Sequence, residues 1–401
     1  MTAAQRSLLF AAVVAAAAIA SASCAATPTA KPSPTSSPSA TATATPAAAG
    51  LTPAEQAVSA MTLRERAASV VMGHIPTTDA AALRSYMEST DAGGFILMGA
   101  NIPADEAALE ELTAALTVDP AQPPLIAIDQ EGGDVSRLPW DDFPSPLDLQ
   151  QADAAAVEAA YAGRGTLVRQ AGIPVNFGIV ADVTADPNSF IHRRILGTTP
   201  DTAAGHVAAA VAGERGNVFS TLKHFPGHGA APGDSHSSIP STPMPLQQWH
   251  TTDALPFQAG VDAGAELLMF GHLAYTAVDP APASLSVEWH RIAREELGFD
   301  GVTITDDLGM LEGSGLPEYA DPVANAVDAL AAGNDMVLTV VYSTPETAPQ
   351  IVDGIVSAVE SGAVPAERLE EAATRVMELR LAVAGAGDGE LPCTTCADPA
   401  E

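Results

Sequence analysis

Residues 220–236 read STLKHFPGHGAAPGDSH and join a short apolar run to a polar segment through proline and glycine. The run 220–225 is short and contains a β-branched residue and two large apolar ones, which is typical of a buried strand. Lys223 and His224 lie near its end, and the Gly- and Pro-rich segment that follows carries Asp234 and His236. The stretch therefore predicts a strand that is followed by a loop with chemically active side chains.

Similar runs recur along the chain. The eight predicted strands are residues 69–75, 93–98, 125–129, 175–180, 220–225, 267–272, 301–305 and 335–340. Segments with helical period lie between them, at residues 77–89, 103–116, 152–171, 200–215, 246–263, 286–297 and 322–332. Strand and helix alternating eight times predict an α/β fold, a single closed (β/α)8 TIM barrel. A doubly wound open sheet also alternates, but the Gly-rich phosphate fingerprint that would support it is missing.

Composition limits the function. The chain has 401 residues with 17 Lys+Arg against 49 Asp+Glu, which gives a formal charge of −32. Such an anionic surface repels phosphate backbones, so a nucleic-acid partner is disfavoured. With 47% apolar and 16% charged residues, the chain has enough apolar material for a folded core. Only Lys31 and Lys223 are lysines, so a lysine at the end of a predicted strand is a notable feature.

The N-terminus predicts export. Residues 1–23 combine a positive charge, an apolar run and small residues, the layout of a signal peptide rather than of a membrane span. Cys24 follows a small residue and is a candidate for lipidation, although Ser21 stands where bacterial lipoproteins usually carry Leu. The alternative is secretion after residues 20–22, with Cys24 an ordinary thiol. In both cases we expect an exported protein, either a cell-envelope lipoprotein or a secreted one, that meets the membrane only through a lipid anchor.

The remaining segments frame one domain. Residues 24–50 are rich in Ala, Thr, Pro and Ser without an apolar period, which predicts a flexible tether. Residues 51–385 carry the barrel, and residues 386–401 form a tail with Cys393 and Cys396. We expect these two cysteines to form a local disulfide, because the tail lacks both the context of a redox motif and further zinc ligands. We expect the protein to be a monomer.

Polar residues follow the predicted strands. They are Asp129, Asp182, Lys223, His224, His272, Asp306 and Asp307, together with His228, Asp234 and His236 of the loop after residue 225. In a closed barrel the carboxyl ends of the strands form the active-site face, so we expect these side chains to converge. A hydrophobic core has no use for such a set, which predicts a functional site.

Several of these residues have a structural alternative. His272 is either a satisfied core imidazole or a ligand or catalyst, His228 either bonds the loop backbone or takes part in the site, and Asp182 is either a turn cap or a binding group. The residues that suit a metal by type are His224, His228, Asp234 and His236. Their Gly- and Pro-rich loop differs from a rigid ligand helix, so we expect no metal and no cofactor.

The residue types fit covalent glycoside chemistry. A carboxylate attacks an acetal carbon and forms an ester, provided that a general acid protonates the leaving oxygen. His236 is suited to be that acid, and Asp234 to orient its ring and raise its basicity. The groups suited to hydrogen-bond sugar hydroxyls are Asp129, Arg137, Arg194, Lys223 and His224. The identity of the substrate does not follow from these residue types.

Four motifs resemble one known family. Residues 223–229, KHFPGHG, followed by Asp234-Ser235-His236, resemble the signature of family 3 glycoside hydrolases of the β-N-acetylglucosaminidase type. Similar to that family are also residues 129–133, DQEGG, with Arg137; residues 180–183, VADV, followed by residues 194–197, RILG; and residues 304–310, ITDDLGM. The resemblance covers roughly residues 55–385, and the first motif is the most specific.

The resemblance implies a single-domain barrel and a retaining exo-glycosidase that releases terminal β-linked N-acetylglucosamine. Carried over by position, Asp306 is the nucleophile and His236 the acid/base with Asp234 as its partner. The sugar-binding residues are Asp129, Arg137, Arg194, Lys223 and His224. Given the predicted anchor, cell-wall glycans are the expected substrate. Two alternatives stay open: a phosphorylase on the same scaffold, and a surface lipoprotein that binds sugars without cleaving them.

The sequence departs from the family pattern in places. Asp134 stands where the family usually has Arg, residues 195–196 are Ile-Leu instead of Ser-Phe, and Ala230 replaces an acidic residue. None of these removes a predicted catalytic group, but Asp134 is expected to alter what lies beyond the first sugar.

The position of the predicted nucleophile raises a separate question. Strict alternation along the strand places Val302, Ile304 and Asp306 on one face, and the apolar pair favours the helix layer. Asp307 is therefore a second candidate nucleophile.

Overall fold

A computed structural model describes residues 50–386 and Leu391 of the chain. The predicted signal peptide 1–23, Cys24 with nearly all of the tether, and the cysteine pair Cys393 and Cys396 lie outside the described residues. Among the residues that are described, no helix is both long and apolar enough to cross a bilayer.

Eight parallel strands close into a barrel. In the order in which they are hydrogen-bonded, they are β1 (Val71–Gly73), β2 (Gly94–Leu97), β3 (Leu125–Ile128), β4 (Val175–Val180), β5 (Phe219–Phe225), β7 (Leu267–Phe270), β9 (Val302–Asp307) and β10 (Met336–Leu338). β10 pairs with β1, and this pairing closes the barrel. Two short strands outside it, β6 (Ser241–Thr242) and β8 (Ala274–Tyr275), pair with each other. The predicted (β/α)8 barrel is confirmed, with every predicted strand in place.

Two helices precede β1, and the others follow the strands of the barrel. They are α1 (Pro53–Ala60), α2 (Leu63–Ser69), α3 (Ala80–Thr90), α4 (Glu106–Leu116), α5 (Pro146–Leu149), α6 (Ala154–Gln170), α7 (Pro200–Glu214), α8 (Leu246–Trp249), α9 (Ala254–Asp262), α10 (Val287–Arg291), α11 (Gly309–Gly313), α12 (Pro322–Ala332), α13 (Thr347–Ser361) and α14 (Ala366–Ala386). Several begin at a side chain that accepts a bond from a free N–H of the first turn, as Asp79, Asp105 and Asp153 do. α10 continues into a π-helical turn, Ile292–Glu296.

One predicted helix is interrupted. Residues 246–263 form α8 and α9 with a break between them instead of one continuous helix. In the break, the Thr251 and Thr252 hydroxyls both donate to the main-chain carbonyl of Gln248, at 2.9 and 3.0 Å. Threonine side chains compete in this way with the helical backbone, which explains the interruption.

The barrel interior is apolar in its lower layers. The inward-facing cluster comprises Met72, Ile96, Leu125, Ala127, Val175, Phe177, Phe219, Leu267, Met269, Val302, Ile304, Met336 and Leu338. Val302 and Ile304 therefore belong to the interior, and the expectation that they favour the helix layer was wrong. A TIM barrel is filled by layers of apolar side chains, so the face that is apolar low in the strand becomes the active-site face at its carboxyl end. Asp306 continues this face.

A buried carboxylate ties α14 to the barrel. Asp335, directly before β10, is fully buried, and its oxygens pair with Arg294 at 2.5 Å, Arg375 at 3.1 Å and also with Arg368. The Thr303 N–H donates to the same carboxylate at 3.0 Å. Because Arg368 and Arg375 lie on α14, this cluster fastens the last helix across the end of the barrel that is opposite the active-site face.

We expect Asp335→Ala to lower the free energy of unfolding by about 3–5 kcal/mol, because it leaves three guanidinium groups without their buried partner. The matched control is Asp353→Ala, which removes an exposed ion pair with Arg64 and should change stability by no more than about 1 kcal/mol. Denaturant unfolding measures both values. Equal losses in the two variants would contradict the assigned role of Asp335.

Candidate active site

A cavity of about 230 Å³ opens at the carboxyl ends of the barrel strands. Its lining includes Asp129, Glu131, Arg137, Arg194, Lys223, His224, Ser235, His236 and Asp306, together with an apolar side made by Ile96, Met98, Met269, Met310, Leu338, Val340 and Val341. Every predicted sugar-binding residue thus lines one cavity, together with the predicted nucleophile and the predicted acid. Asp234 lies outside the lining, bonded to His236.

Two carboxylates and three cations form the polar wall. Lys223 Nζ is bonded to Asp129 Oδ1 at 2.9 Å and to Glu131 Oε1 at 2.6 Å. Arg194 forms a bidentate pair with Glu131, at 2.6 and 2.8 Å, and Arg137 Nη2 donates to Asp129 at 3.2 Å. Each charge faces an opposite one, so the ion pairs fix one another's positions along the cavity wall.

Glu131 is a site residue that sequence reasoning missed. It is fully buried and contacts both Lys223 and Arg194. Burial would raise the pKa of Glu131, but Arg194 and Lys223 lower it to about 2. The spacing could have indicated this role, because residues two apart in an extended segment point to the same face, and Asp129 and Glu131 are two residues apart.

Asp182 organises the turn after β5. Its carboxylate accepts bonds from the main-chain N–H groups of His224, at 3.2 Å, and His228, at 2.6 Å, and from His224 Nδ1 at 2.8 Å. His228 Nε2 in turn lies 3.0 Å from Ser235 Oγ. Asp182 is therefore a positioning residue rather than a cap of its own turn, and His228 holds the loop that carries His236.

The side chains considered as metal ligands have other partners. His224 is bonded to Asp182, His228 to Ser235, and His236 to Asp234. Across the part of the chain that the structure describes, no three His, Cys, Asp or Glu side chains are arranged to hold a metal ion.

Asp306 is half-buried at the end of β9, and its Oδ1 accepts a bond from the Asp307 N–H at 2.8 Å. Burial alone would raise the pKa of Asp306. The imidazoles of His224 and His272, and then the Asp307 N–H and the Lys223 ammonium, outweigh burial and lower it below the usual value. Asp306 is therefore an ionised carboxylate that faces the cavity.

Asp307 serves the backbone instead. Its two oxygens accept bonds from the N–H groups of Gly309 at 3.0 Å and of Val340 and Val341 at 2.8 Å each. Burial raises its pKa to about 6 despite these donors. Behind it, His272 Nε2 contacts the Asp307 carbonyl oxygen at 2.8 Å and its Nδ1 contacts a serine hydroxyl at 2.7 Å. Of the two alternatives for His272, the satisfied core imidazole matches these contacts.

The loop after β5 brings His236 to the cavity. His236 Nδ1 donates to Asp234 Oδ1 at 2.6 Å, and the His236 N–H donates to the same oxygen at 3.0 Å. The Phe190 ring contacts the His236 ring edge-on with 5.7 Å between centroids. Since Nδ1 is engaged by the carboxylate, Nε2 is the nitrogen that is free to exchange a proton with a ligand.

Asp134, which departs from the family pattern, lies outside this cavity. It forms an exposed bidentate pair with Arg193, with distances of 2.5 and 2.9 Å. The pair borders the segment that carries Arg194 but does not join the polar wall.

The chain matches a known protein family over most of its length. The model of the glycosyl hydrolase family 3 N-terminal domain matches residues 62–379. The chain belongs to glycoside hydrolase family 3. The resemblance drawn from its motifs is thereby confirmed, and so is the prediction that the chain is a glycoside hydrolase.

Relatives within family 3 have related names. A protein named beta-hexosaminidase from Xanthomonas oryzae pv. oryzae (strain KACC10331 / KXO85) is 35% identical over 282 residues, which is 67% of this chain and 82% of the relative. One with the same name from Stenotrophomonas maltophilia (strain K279a) is 34% identical over 290 residues, 69% of this chain and 82% of the relative.

A solved structure agrees in fold. The family 3 β-N-acetylglucosaminidase from Paenibacillus sp. str. FPU-7 superposes with a TM-score of 0.76 at 30% identity. The match covers 85% of this chain and 66% of the Paenibacillus chain, so this family 3 chain spans about two thirds of the length of that neighbour.

The polar wall leads to a stability prediction. We expect Glu131→Gln to lower the free energy of unfolding by about 3–5 kcal/mol at neutral pH, because two buried cations lose a shared partner. The pKa of Glu131 is about 2 in the folded protein and lies near the ordinary value of about 4.3 in the unfolded chain. Its contribution is therefore complete above the unfolded value and is lost as the pH falls towards about 2.

Denaturant unfolding of parent and variant between pH 2 and 7 measures this difference. The gap between the two proteins should close as the pH falls. The control is Asp134→Asn, whose exposed pair with Arg193 should contribute much less. A gap that stays constant with pH would contradict the role given to the Glu131 charge.

Proposed function

We propose that the chain is a retaining exo-β-N-acetylhexosaminidase that releases terminal β-linked N-acetylglucosamine through a glycosyl ester of Asp306. One observation carries the proposal: an ionised aspartate and a loop-borne histidine with its own carboxylate partner face the same cavity. The names of the relatives and of the Paenibacillus neighbour support the substrate class.

The cavity suits the end of a glycan. Its volume of about 230 Å³ lies just under the ~300–1,000 Å³ common for ligand pockets, which fits one sugar ring. The polar wall offers charged donors and acceptors to the ring hydroxyls, and Arg137 Nε is buried without a partner among the described residues. Enclosure of one ring supports cleavage from the chain end.

In the first step, Asp306 attacks the anomeric carbon of the bound sugar. A bond forms between its carboxylate oxygen and that carbon while the bond to the leaving oxygen breaks. The protonated His236 donates the Nε2 proton to the leaving oxygen, and Asp234 stabilises the imidazolium through Nδ1. The ordinary pair of carboxylates in retaining enzymes is here one carboxylate and one imidazole.

In the second step, water attacks the anomeric carbon of the ester. The neutral His236 accepts a proton from the water through Nε2, and the ester oxygen returns to Asp306 as a carboxylate. The product is the free sugar with its original configuration, because the anomeric centre is inverted twice. The enzyme is restored with His236 protonated.

Asp306 rather than Asp307 fits the nucleophile. Three main-chain N–H groups occupy the oxygens of Asp307, and burial raises its pKa. Asp306 has a lowered pKa and one main-chain donor, which leaves an oxygen for attack. Both aspartates line the cavity, but a nucleophile needs an oxygen that is free to attack, and Asp306 with its single main-chain donor meets this need better than Asp307 with three.

We also propose that the enzyme acts outside the cytoplasm on cell-wall glycans. The signal-like residues 1–23 and Cys24 support export and anchoring. The formal charge of −32 implies an acidic surface. Such a surface is compatible with binding of uncharged amino-sugar glycans and disfavours binding of polyanions.

Hydrolysis of a chromogenic β-N-acetylglucosaminide tests the proposal. Asp306→Ala should lower kcat by about 10³-fold or more, because the ester cannot form. The neighbouring control is Asp307→Asn, which should lower the melting temperature because the Asp307 oxygens hold three main-chain N–H groups. The sugar that this variant releases should have the same anomeric configuration as the sugar released by the parent. Full activity in Asp306→Ala with an unchanged fold would contradict the assignment. With inorganic phosphate present, the expected product is the free sugar and not its 1-phosphate.

The role of His236 is tested through the leaving group. We expect His236→Ala to lower kcat/KM about 10²–10⁴-fold on a disaccharide, whose leaving oxygen needs a proton. The loss should be far smaller on a dinitrophenyl glycoside, whose leaving group departs as an anion. His250→Ala, an exposed histidine paired with Glu296, is the control. Equal losses on both substrates would contradict proton donation by His236.

A further inference from the structure

We propose that Tyr342, with the adjoining Val341, forms the binding surface for the sugar ring attached to the leaving oxygen. This inference rests on the proposed function and extends it to the part of the substrate that lies outside the cavity. Val341 lines the cavity, and Tyr342 follows it in the sequence and stands 68% exposed. Among the residues that the structure describes, its side chain makes no hydrogen bond or ring contact.

The backbone at Tyr342 is unusual for its residue type. Tyr342 has φ of 60°, in the left-handed region, and it occupies a tight turn in which the Ser343 N–H donates to the Val340 carbonyl at 3.2 Å. Glycine or asparagine is the usual residue at such a turn position, because a side chain there costs free energy. Because the Tyr342 ring is mostly exposed, its packing does not compensate for the strain of the left-handed backbone. Strained backbone positions of this kind concentrate where ligands bind.

The turn is firmly held in place. Asp307 accepts bonds from the Val340 and Val341 N–H groups, at 2.8 Å each. Gly309 allows the Val341 backbone to come close, since a Cβ there would lie 2.2 Å from the Val341 carbonyl oxygen. Asp307 thus links the strand end that carries Asp306 to the turn that carries Tyr342, and it keeps the two in a defined relation.

Tyr342 lies on the side of the acid. A Cβ added to Gly313 would lie 3.1 Å from the main-chain carbonyl oxygen of His236 and 3.8 Å from both Cε2 and the hydroxyl oxygen of Tyr342, so the His236 backbone and the Tyr342 side chain border the same small space. A terminal sugar that fills the cavity has its leaving oxygen at His236. The next ring must pass this point, where an aromatic face packs against the apolar C–H face of a pyranose. Val341, 43% exposed, extends the apolar surface.

The test compares two substrates that differ only beyond the scissile bond. For Tyr342→Ala, we expect kcat/KM to fall roughly 3- to 10-fold on the β-1,4-linked disaccharide of N-acetylglucosamine, through loss of ring packing. On β-N-acetylglucosaminyl fluoride, whose leaving group is one atom, kcat/KM should stay unchanged. Tyr342→Phe should behave as the parent on both substrates. Val287→Ala, which removes a 66% exposed side chain of α10, is the control.

A second readout separates binding from a structural role. Tyr342→Gly relieves the left-handed strain and removes no packed contact, so its melting temperature should match or exceed that of the parent by about 1–3 °C, while the disaccharide-specific loss remains. Unchanged disaccharide hydrolysis in Tyr342→Ala, an equal loss on both substrates, or a marked fall in melting temperature for Tyr342→Gly would overturn the inference alone. A parent protein that cleaves neither substrate would overturn the proposed function and this inference with it.

Discussion

A single buried ammonium group, that of Lys223, holds the active-site face together. Burial alone would lower the pKa of Lys223, but Asp129 and Glu131 outweigh burial and raise it above its usual value. Each carboxylate is shared with an arginine, so the charges alternate along the wall. A buried charge without a partner costs several kcal/mol, and the wall is therefore stable only when it is complete. Its rigidity prepares the hydrogen bonds that a sugar would receive.

The barrel separates stability from chemistry along each strand. On β9, Val302 and Ile304 fill the apolar interior, and Asp306 on the same face reaches the cavity. The next residue, Asp307, points to the backbone of the following strand and holds the turn beyond it. Two adjacent aspartates thus have different environments, and the environment gives one a lowered pKa and the other a raised one.

Much of this arrangement follows from sequence pattern. The apolar runs and helical periods predicted the barrel. Because polar residues at the carboxyl ends of barrel strands meet at one face, the sequence also predicted that Asp129, Lys223, His224 and Asp306 lie close together. Pattern alone did not reveal Asp182 as a positioning residue, because its partners are main-chain N–H groups of a distant turn. The split between α8 and α9 depends on hydroxyl-to-carbonyl bonds that periodicity does not register.

The objection to Asp306 failed for a related reason. Alternation correctly placed Val302, Ile304 and Asp306 on one face of the strand. It does not say whether that face meets the helices or the barrel axis, because apolar side chains fit both environments. The sequence pattern gave no signal for Tyr342. Its positive φ and its position near the His236 backbone depend on the turn that Asp307 holds. Long-range bonds of this kind set the details of the site after pattern has set the fold.

The central claim is that Asp306 forms a covalent ester with the sugar. The most direct measurement is to trap the enzyme with a slow fluorinated N-acetylglucosaminide and to locate the added mass by peptide mass spectrometry. The account predicts one added sugar per chain on the peptide that contains residues 302–307, with fragmentation assigning it to Asp306. A label on Asp307 or on any other residue, or full turnover without any covalent adduct, would contradict it.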